Sequence, residues 1–533
     1  MQSKRPIFTY QTRLALTLEQ EAILEAYAQH MSRVERKLFA EIAAGKNPSK
    51  LKSPFLIQFG ITARQYNACR VQLEGKIASI KERGAGQIVE AKMRIDGLAK
   101  KIEKLEKQKS NSRDIHQKKR RLQHLECKLE KQVADQKSGK VRLCFGSKKL
   151  FRAQFALEKN GFASHQEWRS QWQKERDDSF FLLGSKDETS GNQSCTAVMQ
   201  DHRITLRLRL PDALSQYGKY LEIADVSFKY GFEAILASLQ DCKERNALLK
   251  ANDPLYKEFG QAISYRFKRD QKGWLVFVST SLAEPTWTSR ENIGVIGIDI
   301  NRDHLAAVET DRFGNPIKTK IIPLNCYGKT SEQTKALLGN AIAELVGWGV
   351  SSQKLLVVEK LEFQKKKSEL KESGNKKYAR MLSSLAYTTI LTTIKSRAWR
   401  FGVKVKEVNP AYTSVIGQVK FATRYGLTIH ESAALCIARR FQGVSESLPR
   451  HLEKIPDGKS GHVALPLPVR NRGKHVWTLW GQVKKKLLAV LAAHFRATKK
   501  RSSSRPQPAC CDGADPLGSC WRNSNTRTVN NTA

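Results

Sequence analysis

The sequence predicts a multidomain protein of mixed α+β and α/β architecture, and three stretches carry that prediction. From Asn292 to Pro323 the chain reads NIGVIGIDINRDHLAAVETDRFGNPIKTKIIP. This is an apolar strand with a lone acid, Asp299, then a strand from His304 to Thr310, then a turn at Asp311-Arg312-Phe313-Gly314-Asn315-Pro316. A third strand, Ile317 to Ile322, completes a meander, because Gly, Asn, Asp and Pro clustered between β-rich runs mark a tight reversal. Further on, Leu355 to Val358 is the continuous apolar run LLVV of a strand buried on both faces, and it ends on a second acid, Glu359. Ahead of both, apolar positions at helical spacing give way after Val141 to strand-like alternation.

Composition narrows the class of partner. Against 51 Asp and Glu the chain carries 93 Lys and Arg, a formal charge of +42. Solubility does not require such an excess; neutralising the phosphates of a polyanion explains it. A membrane is the other polyanion, but no apolar run of about 18 residues is present and no signal peptide is expected, so nucleic acid is the stronger choice. The cysteines, Cys69, Cys127, Cys144, Cys195, Cys242, Cys326, Cys436, Cys510, Cys511 and Cys520, include no CxxC pair. Neither a disulfide framework nor a structural zinc ribbon is therefore expected, and the reading is a reduced intracellular protein.

In chain order, Ile7 to Leu16 predicts an opening strand, and Thr17 with Gln20 three residues on predicts a capping box that starts a helix running to about Gly45. Ile95, Leu98, Ile102 and Leu105 recur at three- and four-residue steps, as do Leu122, Leu125 and Leu129 after a Ser110-Asn111-Ser112 break. Two such helices predict an antiparallel hairpin. Its flanks carry Lys107, Lys109, Arg113, Lys118, Lys119, Arg120 and Arg121, which fit either an ordinary solvated face or an arm that tracks phosphates.

From Val141 to Leu282 the expectation is mainly strands: VRLCFGS, SFFLLGS, CTAVMQDHRITLRLRL, LEIADVSFKY, AISYRFKRD and GWLVFVSTSL. Alternation puts Ile204, Leu206, Leu208 and Leu210 on one face, with Arg203, Arg207 and Arg209 on the other, as a solvated face or a phosphate contact. Helices are expected at about Ser164 to Asp177 and Phe232 to Leu249. The opening strand, with no other β partner nearby, is placed in this small barrel.

Beyond the linker at Pro285 to Ser289 and the meander, a helix is expected from Thr330 to Trp348. A long basic helix should run from Lys376 to Phe401, carrying Lys376, Lys377 and Arg380, before a strand from Val403 to Val408. Helices at His430 to Phe441 and Val476 to Phe495 follow; Trp477 and Trp480 fit core packing better than base stacking. From Thr498 the composition predicts disorder.

Asp299 is costly to bury without an Arg, a Lys or a metal ion beside it. The order β-β-β-α-β-α-β-α, with an acid near the ends of the first and fourth strands, is similar to the ribonuclease H arrangement, in which those strands are neighbours. Two converging carboxylates need a cation between them, the requirement for divalent metal binding. Paired Mg2+ or Mn2+ ions could then activate a water for phosphodiester cleavage.

GIDINRDHLA, VVEKLEF and VKVKEVNPAYTS resemble the first two RuvC motifs, and the run-up to the third, of the TnpB (OrfB) transposon proteins and the related type V CRISPR effectors. The likeness covers Gly294 to about Arg440. It implies Asp299 as the first catalytic Asp and Glu359 as the catalytic Glu. The chain departs from that family twice: Tyr412-Thr413-Ser414 runs directly into VIGQVKFATRYGLT with no paired CxxC ribbon, so no zinc is expected, and His430 stands where the family has its third Asp. Candidates for the third group are Glu431, then Asp303, then His430 itself as a ligand or proton carrier.

The expected organisation is a wedge-like β-barrel formed by residues 1–16 and 141–285, a helical recognition lobe at 17–140, a RuvC-like domain at 286–497 and a tail at 498–533. The resemblance implies an RNA-guided DNA endonuclease of a mobile element, using Mg2+ or Mn2+. Its partners would be a guide RNA and a double-stranded DNA target, with no membrane, in a prokaryotic cytoplasm near the nucleoid. The substituted third motif leaves open a guided DNA-binding protein that does not cut, or an unguided transposition accessory protein.

Overall fold

A computed structural model describes residues 5–108, 111–200, 203–301, 303–326, 328–360, 387–449, 454–457, 461–471, 473 and 475–503. The described chain forms two compact units, one up to Thr286 and one from Trp287.

The first unit opens with β1 (Ile7–Arg13), α1 (Leu18–Ala43), α2 (Lys52–Phe59), α3 (Ala63–Lys107) and α4 (Ser112–Lys137). The capping box at α1 forms as expected: Thr17 Oγ1 accepts from the Gln20 N–H at 3.2 Å, and Gln20 Oε1 accepts from the Thr17 N–H at 3.0 Å. α3 and α4 fold back on each other through Leu98, Ile102 and Leu125, with Ile95, Ile115 and Leu122 at the margin. Then come α5 (Lys148–Ala153), α6 (His165–Arg176), β2 (Ser179–Leu182), β3 (Cys195–Gln200), β4 (Arg203–Arg209), β5 (Tyr220–Val226), α7 (Phe232–Lys250), β6 (Ser264–Asp270) and β7 (Gly273–Ser281). Tyr27 of α1 stacks on Phe180 of β2 with centroids 4.1 Å apart, and Phe180 stacks on Phe267 of β6 at 4.9 Å.

Two expectations for this unit need correction. The opening strand does join the later strands, pairing antiparallel with β7 from Ile7 opposite Ser281 to Arg13 opposite Leu275. Among the described residues, however, the strands form no closed barrel: they make a four-stranded sheet, β1-β7-β6-β2, and a separate three-stranded sheet, β3-β4-β5. The physical reason lies at Asn192, which is fully buried between them. Its amide donates to the Leu182 and Ile263 carbonyls at 3.3 and 2.9 Å, and its Oδ1 accepts from the Ser194 and Cys195 N–H groups at 2.8 and 3.0 Å. One side chain thus satisfies backbone groups that a continuous ladder would otherwise have paired. The second correction is Val141 to Ser147, expected as a strand but irregular in the structure. Its β-branched and aromatic content favours a pleated surface, yet no strand among the described residues offers it a ladder.

The second unit is built on a five-stranded sheet of β8 (Arg290–Ile300), β9 (His304–Thr310), β10 (Pro316–Pro323), β11 (Lys354–Glu359) and β12 (Val405–Val408), in the order β10-β9-β8-β11-β12. β9 is antiparallel to both β8 and β10, while β11 is parallel to both β8 and β12. Taken in chain order this is the 3-2-1-4-5 arrangement of the ribonuclease H-like fold, as the two acid-bearing strands imply. On one face lie α8 (Ser331–Ser351) and α9 (Tyr387–Arg400), packed through Leu338, Ile342, Leu345, Ile390 and Ile394 onto Ile296, Ile298, Leu356 and Val358. The expected start of the basic helix, including Lys376, Lys377 and Arg380, lies outside the described residues.

The other face carries α10 (Ile429–Phe441), with Ile437 and Ala438 against Val295, Leu355 and Val357. Residues 413–425, helical with a π turn at Gly417–Phe421, lead into it. Behind lies α11 (Val476–Ser503), whose Trp480 is buried and donates to the Glu446 carbonyl at 3.2 Å, a core residue as expected, whereas Trp477 is exposed. No helix among the described residues is long and apolar enough to cross a membrane.

Candidate functional site

The sheet register brings the two acids together. Val358 of β11 lies opposite Ile298 of β8 in parallel pairing, and one step further along both strands come Glu359 and Asp299. Residues in parallel register share a face, and alternation places these two on the face of Val295, Gly297, Leu355 and Val357, beneath α10. Both sit at carboxyl ends of adjacent parallel strands, the usual place for a ligand in an open α/β sheet. They are largely buried, Asp299 at 8% and Glu359 at 9% exposure.

α10 is set against this edge by small residues. A Cβ on Gly297 would lie 2.1 Å from the Ala434 carbonyl oxygen, and one on Gly417 would lie 2.6 Å from the Ser432 carbonyl. Only hydrogen at both points lets the helix approach so closely. Its start is fixed by a capping box in which Thr428 Oγ1 accepts from the Glu431 N–H at 3.2 Å.

That placement decides what each candidate side chain does. Asp299 Oδ2 accepts from Asn301 Nδ2 at 2.9 Å and lies 3.2 Å from His430 Nδ1, on the first turn of α10. Glu359 Oε1 accepts from the Thr413 hydroxyl, and the Glu359 carbonyl accepts from Tyr387 Oη at 2.6 Å. Glu431 is engaged elsewhere: its Oε2 accepts from the Thr428 N–H and hydroxyl at 3.0 and 2.7 Å. Burial pushes the Glu431 carboxyl up, but hydrogen bonds from the Thr428 and Thr319 hydroxyls and the Thr428 N–H, with His304 nearby, outweigh it and hold the group below the usual glutamate range. Asp303 Oδ1 lies 2.7 Å from His304 Nδ1, and the His304 ring meets the His430 ring edge to face at 4.8 Å.

His430 is raised above an ordinary histidine, first by its hydrogen bond to Asp299, against burial, and further by the charges of Asp299 and Asp303. A raised folded-state value means that the imidazolium favours the fold: this contribution is complete below pH about 6.5 and lost as pH rises through the folded value. Titrating the His430 ring by NMR in metal-free protein should give a pKa above that of a free histidine, and Asp299→Asn should bring it down.

Asp299 is a buried acid whose partners among the described residues are an amide and a titratable imidazole, not a lysine or arginine. With Glu359 in register beside it, the donor set is two hard carboxylates, which fits Mg2+ or Mn2+, ions commonly held by one or two carboxylates while water and substrate phosphate fill the remaining positions. Among the described residues no group of three or more His, Cys, Asp or Glu is arranged to hold a metal ion.

The basic residues expected to contact nucleic acid fare unevenly. Arg203, Arg207 and Arg209 are each ion-paired, with Asp225 at 2.8 Å, Glu222 at 3.4 Å and Asp212 respectively, as on a solvated strand face. On α4, Lys119 pairs with Glu106 at 2.8 Å, while Lys118, Arg120 and Arg121 have no ion-pair partner among the described residues. Four side chains that shape the site went unselected in the sequence: Asn301, His304, Thr319 and Thr413. Asn301, two residues past Asp299, and Thr413, in the Tyr-Thr-Ser segment, carried the nearest signals.

No family model matches the chain, and no curated protein does. Among solved structures it is similar to T. thermophilus RuvC in complex with Holliday junction substrate, at 17% identity over 29% of this chain and 98% of that one, with a TM-score of 0.19. It is also similar to the Cas12f1-sgRNA-target DNA complex, at 11% identity over 81% and 99%, TM-score 0.20. The Cas12i1 R-loop complex before target DNA cleavage gives 10% identity over 69% of this chain and 61% of that one, TM-score 0.26. Strand order and register are what give the second unit its ribonuclease H-like fold.

Proposed function

We propose that this chain is an RNA-guided DNA endonuclease of the TnpB kind, cutting phosphodiester bonds at a centre formed by Asp299 and Glu359. The observation that carries the reading is their placement side by side at the ends of β8 and β11, on the face covered by α10. A divalent cation bound there would supply Lewis-acid activation of the attacking water and of the scissile phosphate. Asn301 holds the Asp299 carboxylate, and Thr413 holds that of Glu359, so that each presents its remaining lone pairs in a fixed direction. A proton on His430 Nδ1 would be donated to Asp299 Oδ2, 3.2 Å away. Glu431 serves α10 as a cap through Thr428, a positioning role. The guide RNA and duplex target come from the sequence resemblance, and the +42 charge agrees with them.

One observation favours a second reading, guided DNA binding without cleavage: Asp299 Oδ2 is already engaged by both Asn301 and His430, and no third acid joins the pair among the described residues. The test is to express the chain with its native flanking DNA, recover any bound RNA, and incubate the complex with a matched duplex in Mg2+ and in EDTA. Cleavage in Mg2+ that stops in EDTA supports the nuclease; bound RNA and target without product under Mg2+ or Mn2+ supports the second reading.

A further inference from the structure

α5 and the turn after it have two faces of unlike character. Leu150, Ala153 and Leu157 pack with Phe162, Trp168 and Trp172 into a small satellite cluster, and Trp168 Nε1 donates to the Leu150 carbonyl at 2.7 Å. Past Ala153 the chain turns on i to i+3 hydrogen bonds, from the Phe155 N–H to the Arg152 carbonyl at 3.2 Å and from the Ala156 N–H to the Ala153 carbonyl at 3.0 Å. Lys148, Phe151 and Arg152 are spaced i, i+3 and i+4 along one face of α5, the Phe155 ring lies beside Phe151 just past its end, and all four are exposed.

An exposed face of this composition needs a partner. Phe155 is 78% exposed and Phe151 37%, their rings edge to face with centroids 6.5 Å apart. Phe151 leans on Trp172 at 5.5 Å, which fixes the inner ring and leaves the outer one projecting. Lys148, Lys149 and Arg152 have no ion-pair partner among the described residues, in contrast to the paired arginines of β4. Aromatic rings interleaved with unneutralised cations suit an unpaired polynucleotide, whose bases stack while its phosphates lie against the cations. Duplex DNA keeps its base faces inside the stack.

We propose that this face, Phe151 and Phe155 with Lys148, Lys149 and Arg152, is a stacking surface for single-stranded RNA. The choice of RNA as occupant rests on the RNA-guided reading above. The test uses the full chain freed of nucleic acid and a short fluorescein-labelled single-stranded RNA, with single-stranded and duplex DNA of the same sequence beside it. Phe155→Ala should weaken RNA binding about tenfold, within the range measured for loss of one base stack, while leaving the salt dependence unchanged. Phe155→Trp should keep the affinity. The Lys148→Ala, Lys149→Ala, Arg152→Ala triple variant should lower the slope of log K against log salt by about two. All these side chains are at the surface, so thermal unfolding should match wild type. RNA binding by wild type that neither variant changes overturns the surface and leaves the RNA-guided reading standing. A loss confined to either DNA overturns the occupant. A wild type that binds no RNA overturns both.

Discussion

Asp299→Asn or Glu359→Gln reduces cleavage of a matched duplex by about a thousandfold, some 4 kcal/mol of transition-state stabilisation, while RNA and target binding persist. Each substitution keeps the volume and an acceptor oxygen, so Asn301 can still donate to position 299 and Thr413 to position 359. What is removed is one of two negative charges at the ends of β8 and β11, and with it the reason for a divalent cation to stay. Glu431→Gln should cost far less, since that carboxylate is spent on the Thr428 cap and on Thr319. Full cleavage by Asp299→Asn, measured on a gel under single-turnover conditions, would remove Asp299 from the chemistry.

Gly297→Ala destabilises the second unit by about 3 kcal/mol, because the added methyl meets backbone rather than a side chain that can turn away. It would lie 2.1 Å from the Ala434 oxygen and 2.7 Å from the Ala438 nitrogen, so α10 itself must move. His430 rides on that helix, and its 3.2 Å contact with Asp299 should be lost with the shift. Gly339→Ala in α8 is the control: nothing lies within 4 Å of its Cβ, and removing a helical glycine should stabilise by roughly 0.5–1 kcal/mol. Chemical denaturation reads both; equal stability for Gly297→Ala and wild type would show that α10 does not rest on the sheet at this point.

Much of the second unit was legible in the sequence because its signals are local. A lone acid in an Ile-Val-Gly run and an acid closing LLVV mark Asp299 and Glu359, and strand order then brings them into register. The first unit was less legible. Val141 to Ser147 has strand composition but no strand to pair with, and Asn192 ends one sheet and starts another where a barrel was expected. The pairing of Arg203 and Arg207 was hidden for the same reason: Asp225 and Glu222 reach them from the neighbouring strand, a relation that only register reveals, whereas Arg209 pairs locally with Asp212. The His304–His430 contact joins residues more than a hundred positions apart, and it exists because Gly297 and Gly417 let α10 down onto the sheet.

The central claim is that Asp299 and Glu359 act together to hold a divalent cation, and titration of Mn2+ into the metal-free protein, followed by the loss of the free-ion paramagnetic resonance signal, tests it most directly. Wild type should take up Mn2+, and either Asp299→Asn or Glu359→Gln alone should abolish that uptake. Uptake unchanged in both single variants, or absent from wild type in the presence of guide and target, would contradict it.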